Sequence, residues 1–168
     1  MNTVARIILL SGAFLALSSC IFKEAVFKDG FAKPDGSLSG AWKIDEGNND
    51  DKTETALCFL FEADRYLIHY PAMVKNGCYF EARQLKVRDR DLLQLRAFGT
   101  AEGKMPGKDD EVWNLAWIAE KKPGQIALRV INDDKKKLGP EGMRKFLEAP
   151  ESDWNEVFGE AAVFKKTN

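Results

Sequence analysis

The sequence predicts a mainly β fold: an eight-stranded antiparallel up-and-down barrel with one short helix before the last strand. Three observations carry that reading. Apolar residues alternate with a period of two along successive segments from Ser39 to Ile131. Most of these segments are joined by short turn-forming stretches, which suits neighbouring antiparallel strands. The period then lengthens once, around Met143, before a last alternating segment.

The elements follow in order. Ser39 to Asp45 is the first strand, around Trp42 and Ile44. Thr55 to Glu62 is the second, with Leu57, Phe59 and Phe61 on one face. Ala63-Asp64-Arg65 turns into the third, Tyr66 to Tyr70, whose Tyr66, Ile68 and Tyr70 share a face. Pro71 and Asn76-Gly77 bracket a loop before a long fourth strand, Cys78 to Arg88, and a tight turn leads to the fifth, Asp91 to Phe98. The longest internal loop, 99–110, holds Gly99, Gly103, Pro106 and Gly107. In the sixth strand, Glu111 to Lys121, Trp113, Leu115 and Trp117 share one face and Val112, Ala116 and Ile118 the other. Pro123-Gly124 is a hairpin signal into the seventh, Gln125 to Ile131. Pro140 suits a helix first turn, Met143, Phe146 and Leu147 lie at helical spacing, and Pro150 ends the helix. Glu160 to Lys166 is the eighth strand. Closing such a meander removes its unpaired edges, although an open sheet or sandwich would use the same strands.

The N-terminus reads as a targeting segment. Arg6 is the only charge before residue 20, and an apolar run extends from Ile7 to Leu17. That run is well short of the roughly 20 residues a spanning helix needs. It ends in Leu17-Ser18-Ser19-Cys20, which resembles the lipobox of bacterial lipoproteins. The resemblance implies a signal peptide at 1–19, cleavage before Cys20 and lipid on its sulfur, where two or more acyl chains anchor stably. Ile21, and not Asp, follows the cysteine. In an enteric-type bacterium that sorts the protein to the outer membrane, facing the periplasm. Residues 20–37 are then expected to be a tether, with some of their aromatics packed on the barrel's outside, and 38–168 the barrel domain.

Cleavage leaves 149 of the 168 residues, enough for one domain with a real core. The 25 basic and 26 acidic residues give a net charge of −1, which becomes −2 once Arg6 is gone. With charges this mixed, nothing points to nucleic acid or to a basic membrane-binding stripe. Cys58 and Cys78 stand in a compartment that permits disulfides. On strands separated by an intervening one they are about 9.6 Å apart, beyond the roughly 7 Å a disulfide tolerates. A bond therefore requires the middle strand to end early, near Pro71; two buried thiols are the other reading.

Ser39-Gly40-Ala41-Trp42 opens the first strand and resembles the Gly-x-Trp of lipocalins and lipocalin-like barrels. The resemblance implies that Trp42 plugs the closed end of the barrel. Those families pair the Trp with a late arginine; here Lys165 and Lys166 stand in the last strand.

Catalytic machinery is not evident, and an enzyme is the last expectation. His69 is the sole histidine; a Cys58–His69 pair is conceivable on neighbouring strands, and a loosely packed surface histidine is the plainer reading. One His and two Cys make a poor zinc site. The acidic stretches Asn48-Asn49-Asp50-Asp51 and Asp109-Asp110-Glu111 lack the EF-hand pattern and read as solvated loops. No metal or cofactor is expected. Glu81 and Arg83 share a face with Tyr79, Leu85 and Val87; either they point into the barrel, where they pair with each other or line a solvated ligand cavity, or a bulge near residue 82 turns them outward, the favoured reading.

The functional expectation is a lipid-anchored envelope protein that holds a small apolar molecule or a lipid. Tyr66, Tyr70, Trp113 and Trp117 would form its lining and Arg83 its polar contact, although so many large residues argue for a narrow interior. The alternative is a protein-binding module, such as an inhibitor of an envelope hydrolase, acting through the loop 99–110; a purely structural role follows.

Overall fold

The structure is a computed structural model that describes residues 22–45, 54–75, 77–104, 112–132 and 137–167. Eight strands close into one antiparallel barrel in chain order: β1 (Gly40–Ile44), β2 (Thr55–Phe61), β3 (Arg65–Tyr70), β4 (Cys78–Val87), β5 (Arg90–Thr100), β6 (Val112–Lys122), β7 (Gln125–Val130) and β8 (Ala162–Thr167). β8 pairs with both β1 and β7, so the sheet has no overall edge. The helix α1 (Gly139–Glu148) precedes β8, as the change of period predicts. The signal peptide, Cys20 and the acidic stretches at 48–51 and 109–111 lie outside the described residues.

Alternation builds the inner core. Trp42, Ala56, Cys58, Tyr66, Tyr70, Phe80, Leu93, Leu95, Ala116, Ile126 and Phe164 all point inward and are buried. One barrel end holds the β2–β3, β4–β5 and β6–β7 hairpins; the other holds the longer connections. At the hairpin end Leu38 and Trp42 close the interior, and the Trp42 indole N–H donates to the Leu38 carbonyl at 2.8 Å. Lys166 Nζ lies 5.5 Å from the centre of the Trp42 ring. Gly40 explains the glycine two residues before Trp42. Its φ is +132°, and a Cβ there would sit 2.7 Å from Lys166 Cε.

A second core lies outside the barrel, on the β4–β7 wall. It joins Phe22, Val26 and Phe27 to Leu85, Leu92, Leu115, Ile131, Met143, Leu147, Trp154 and Phe158. The stretch expected as a tether is therefore part of the domain from Phe22 onward. Phe22 and Trp113 exchange backbone hydrogen bonds at 3.0 and 2.8 Å. The Gln94 side chain bonds both the N–H and the carbonyl of Phe27, at 2.7 and 2.9 Å. Ala32 N–H donates to the Gln84 carbonyl. The chain then turns across the hairpin end, where Asp35 pairs with Lys121 at 3.3 Å and Gly36 N–H donates to the Tyr66 hydroxyl at 3.2 Å. The physical reason is simple: Phe22, Phe27 and Phe31 have apolar surface to bury and the β4–β7 wall offers a matching face.

Candidate functional site

The barrel interior is largely filled. What remains is an apolar cavity of about 60 Å³, walled by Trp42, Ile68, Tyr70, Phe80, Leu95 and Phe164 among others. Pockets that hold drug-sized ligands run from about 300 Å³ upward. Of the residues expected to line a ligand site, Tyr66 and Tyr70 do face inward and are buried. The Tyr66 hydroxyl points to the hairpin end, where it donates to Asp35 at 3.4 Å. The Tyr70 hydroxyl lies towards the opposite end and donates to Glu54.

Trp113 and Trp117 are placed elsewhere. Both face outward into the second core, where Trp117 meets Trp154 edge-on at 5.5 Å and Arg96 lies over Trp113 at 5.7 Å. They do not line the cavity, which corrects the expected lining. The reason is that both faces of β6 are buried, so alternation separates the faces without saying which is inside. Arg83 also lies outside, over the Phe31 ring at 5.1 Å and 3.5 Å from Glu81. Glu81 takes Arg65 at 2.8 Å and Arg96 at 2.6 Å. Both charges are thus outward, as favoured, but by plain alternation: the register shift of the β4–β5 pair falls opposite Tyr79 and Phe80, where Phe98 of β5 is the extra residue, and not near residue 82.

Cys58 and Cys78 are free thiols. β3 runs between them, with Cys58 opposite Ile68 and Cys78 opposite Tyr70, so the early end required for a disulfide does not occur. Burial pushes the Cys58 thiol up to about 12 and raises that of Cys78 as well. Cys58 points into the barrel, whereas His69 stacks on Tyr79 on the outer face at 4.3 Å. No Cys–His pair forms. Among the described residues no cluster of three or more His, Cys, Asp or Glu is placed to hold a metal ion, and no helix is long and apolar enough to cross a membrane.

Comparison with family models, with curated proteins and with solved structures gives no match. The site therefore has to be read from its own chemistry.

A feature the sequence reading did not single out is the tip of β2. Its pairing with β1 ends at Gly40 opposite Cys58, while its pairing with β3 continues to Phe61 opposite Arg65. Phe59, Leu60 and Phe61 thus extend past the start of β1, with one strand edge not paired to it. They are also 53%, 47% and 46% exposed. Below them the outer face of β2 and β3 continues through Leu57, Leu67 and His69, and no residue of β1, β2, β3 or β8 belongs to the second core. The turn at the tip places Glu62 and Ala63 at φ +51° and +60°, a conformation side chains with a Cβ adopt at a cost of about 1 kcal/mol or more each. The signal was present in the sequence: Ala56 to Phe61 is apolar at six consecutive positions, where a strand with a single buried face alternates.

Proposed function

We propose that this chain is a lipid-anchored envelope protein, held by Cys20, that binds a protein partner through the β2–β3 hairpin. The observation that carries the reading is the coincidence of exposed apolar side chains with an open strand edge at Phe59–Phe61. An extended segment of a partner can add a strand there, gaining main-chain hydrogen bonds while its apolar side chains cover Phe59 and Phe61. Exposed contiguous apolar surface on a folded domain favours such use. The Glu62 and Asp64 carboxylates and the Arg65 guanidinium at the tip supply a polar rim. The other candidate contact surface is the loop 99–110, of which residues 99–104 are described and lie at the opposite end of the barrel; residues 105–110 are outside the described ones.

A second reading rests on the cavity. It is apolar throughout and suits a small dry guest better than water. On this reading the protein belongs with the lipocalin-like binders of small apolar molecules, with a ligand far smaller than a lipid.

One experiment separates the two. A photo-crosslinking amino acid replaces Arg65 in intact cells of the native host. The first reading expects a discrete adduct that disappears in the Phe59→Ser/Phe61→Ser variant, with the fold checked by circular dichroism. No adduct, together with a small molecule seen by native mass spectrometry and expelled by Ala116→Leu, would establish the second reading instead.

A further inference from the structure

The end of the barrel opposite the β2–β3 hairpin has its own exposed apolar tip, and the first described residue of the chain is fixed near the start of β6, a strand that begins at the same end. Phe22 is buried and bonded at both backbone groups to Trp113, near the start of β6. Cys20 precedes Phe22 by two residues, a length of chain that spans at most about 7 Å. The same end carries the described residues 71–75 and Gly77 of the connection between β3 and β4. Met73 there is 89% exposed and Val74 is 43% exposed, followed by the exposed Lys75.

This connection is held in place. Ala72 N–H donates to the Thr55 carbonyl at 2.7 Å, and Gly77 N–H to the Val74 carbonyl at 3.1 Å. Ala101 N–H donates to the Gly77 carbonyl at 2.7 Å, which ties the connection to the end of β5. A Cβ on Gly77 would stand 2.3 Å from the Pro71 carbonyl oxygen and 2.6 Å from His69 Nε2, so only glycine fits at this position. Met73 at φ +67° is thereby presented outward from a fixed turn.

We propose that this end of the barrel lies against the membrane surface, with Met73 and Val74 set among the lipid headgroups and Lys75 beside lipid phosphates. The inference rests on the reading of Cys20 as the lipid anchor. A short, pinned leash holds the barrel flush with the bilayer, and an apolar tip at that end meets lipid and not water. The β2–β3 hairpin then points away from the membrane. β2 and β6 are four strands apart in either direction round the closed barrel, so anchor and hairpin occupy opposite walls as well as opposite ends.

Methionine oxidation tests this with the full chain processed in its own host and reconstituted in vesicles of phosphatidylethanolamine and phosphatidylglycerol. Dilute peroxide is added with free methionine as internal standard, and peptide mass spectrometry follows Met73. A side chain so exposed would oxidise at nearly the rate of the free amino acid; against lipid it is expected to react at least fivefold more slowly. The protection should persist at a tenfold lower protein-to-lipid ratio. An acylated N-terminal peptide with Met73 unprotected overturns the proposal and leaves the anchor standing. Protection that vanishes on dilution assigns the tip to a second copy and also overturns it. A Cys20 without acyl chains ends the anchor reading and this inference with it.

Discussion

The molecule has two cores that share one sheet and differ in how they are closed. The inner core is sealed by the barrel itself: each strand donates alternate side chains and the last strand pairs with the first. The outer core is sealed by chain that is not sheet at all. Residues 22–31, α1 and the short helical turn Trp154–Glu156 lie on the β4–β7 wall. The difference teaches that strands alone close the inner core, whereas the outer one recruits chain from both before β1 and after β7. Half of its wall is a two-sided sheet in which Leu92 packs outward and Leu93 inward, and the other half has a single covered face.

The largest test of that comparison is to remove the outer layer's first segment. A chain beginning at Leu38 retains every strand and the helix but loses Phe22, Val26 and Phe27. Each such side chain contributes about 1.5–3 kcal/mol when buried, and the whole domain holds only about 5–15 kcal/mol. We expect this chain to lose its cooperative thermal transition, as measured by circular dichroism, while a chain beginning at Ile21 keeps it. Equal melting curves would show the outer layer to be a coat and not a core.

A smaller effect is expected from one residue within that layer. Trp154 is fully buried, meets Trp117 at 5.5 Å and Phe158 at 5.6 Å, and donates its indole N–H to the Leu147 carbonyl at 3.3 Å. The Arg90 guanidinium lies over its ring at 4.7 Å. Trp154→Ala should cost about 3–5 kcal/mol, a fall in Tm on the order of 10 °C. Trp154→Phe should recover more than half, because most of the lost contact is ring surface. A cost below 1 kcal/mol would mean that the second core contributes little.

The same two cores explain how far the sequence could be read. The strands and the two faces of each were legible because a period of two marks them directly, the helix because the period changes, and the strand order because the turns are short; closure rested on the need to cover the sheet's edges, since an open sheet uses the same strands. What alternation cannot supply is the sign of a face when both faces are apolar. Trp113 and Trp117 share a face of β6, and alternation does not say whether that face is the inner or the outer one. The clue lay in β5, where Leu92-Leu93 buries both faces in succession, and in the aromatics at Phe22, Phe27 and Phe31, which need a surface to cover. The β2 tip was missed for the converse reason: a strand that outruns its neighbour keeps its alternation and loses its cover, and register is not written in one strand's own sequence.

The finest distinction between the cores is chemical. Cys58 sits in the inner one, and its thiol is pushed up to about 12, first of all by burial, from an ordinary value of 9.0. The folded chain therefore keeps that proton over a range of pH in which the unfolded chain loses it. The stability this represents is intact below pH 9 and is lost as pH rises towards 12, at a slope of about 1.4 kcal/mol per pH unit. Other groups also titrate there, so the measure is a difference. Between pH 9 and 10.5, denaturant unfolding should show stability falling more steeply for the native chain than for Cys58→Ala, even though the variant starts lower from its lost contacts. At pH 7.5 the native thiol should resist iodoacetamide until the barrel opens, so that its labelling rate follows unfolding and not thiol chemistry. Rapid labelling of Cys58 in the folded protein would mean that solvent reaches the inner core, and the contrast between a sealed interior and a covered exterior would no longer hold.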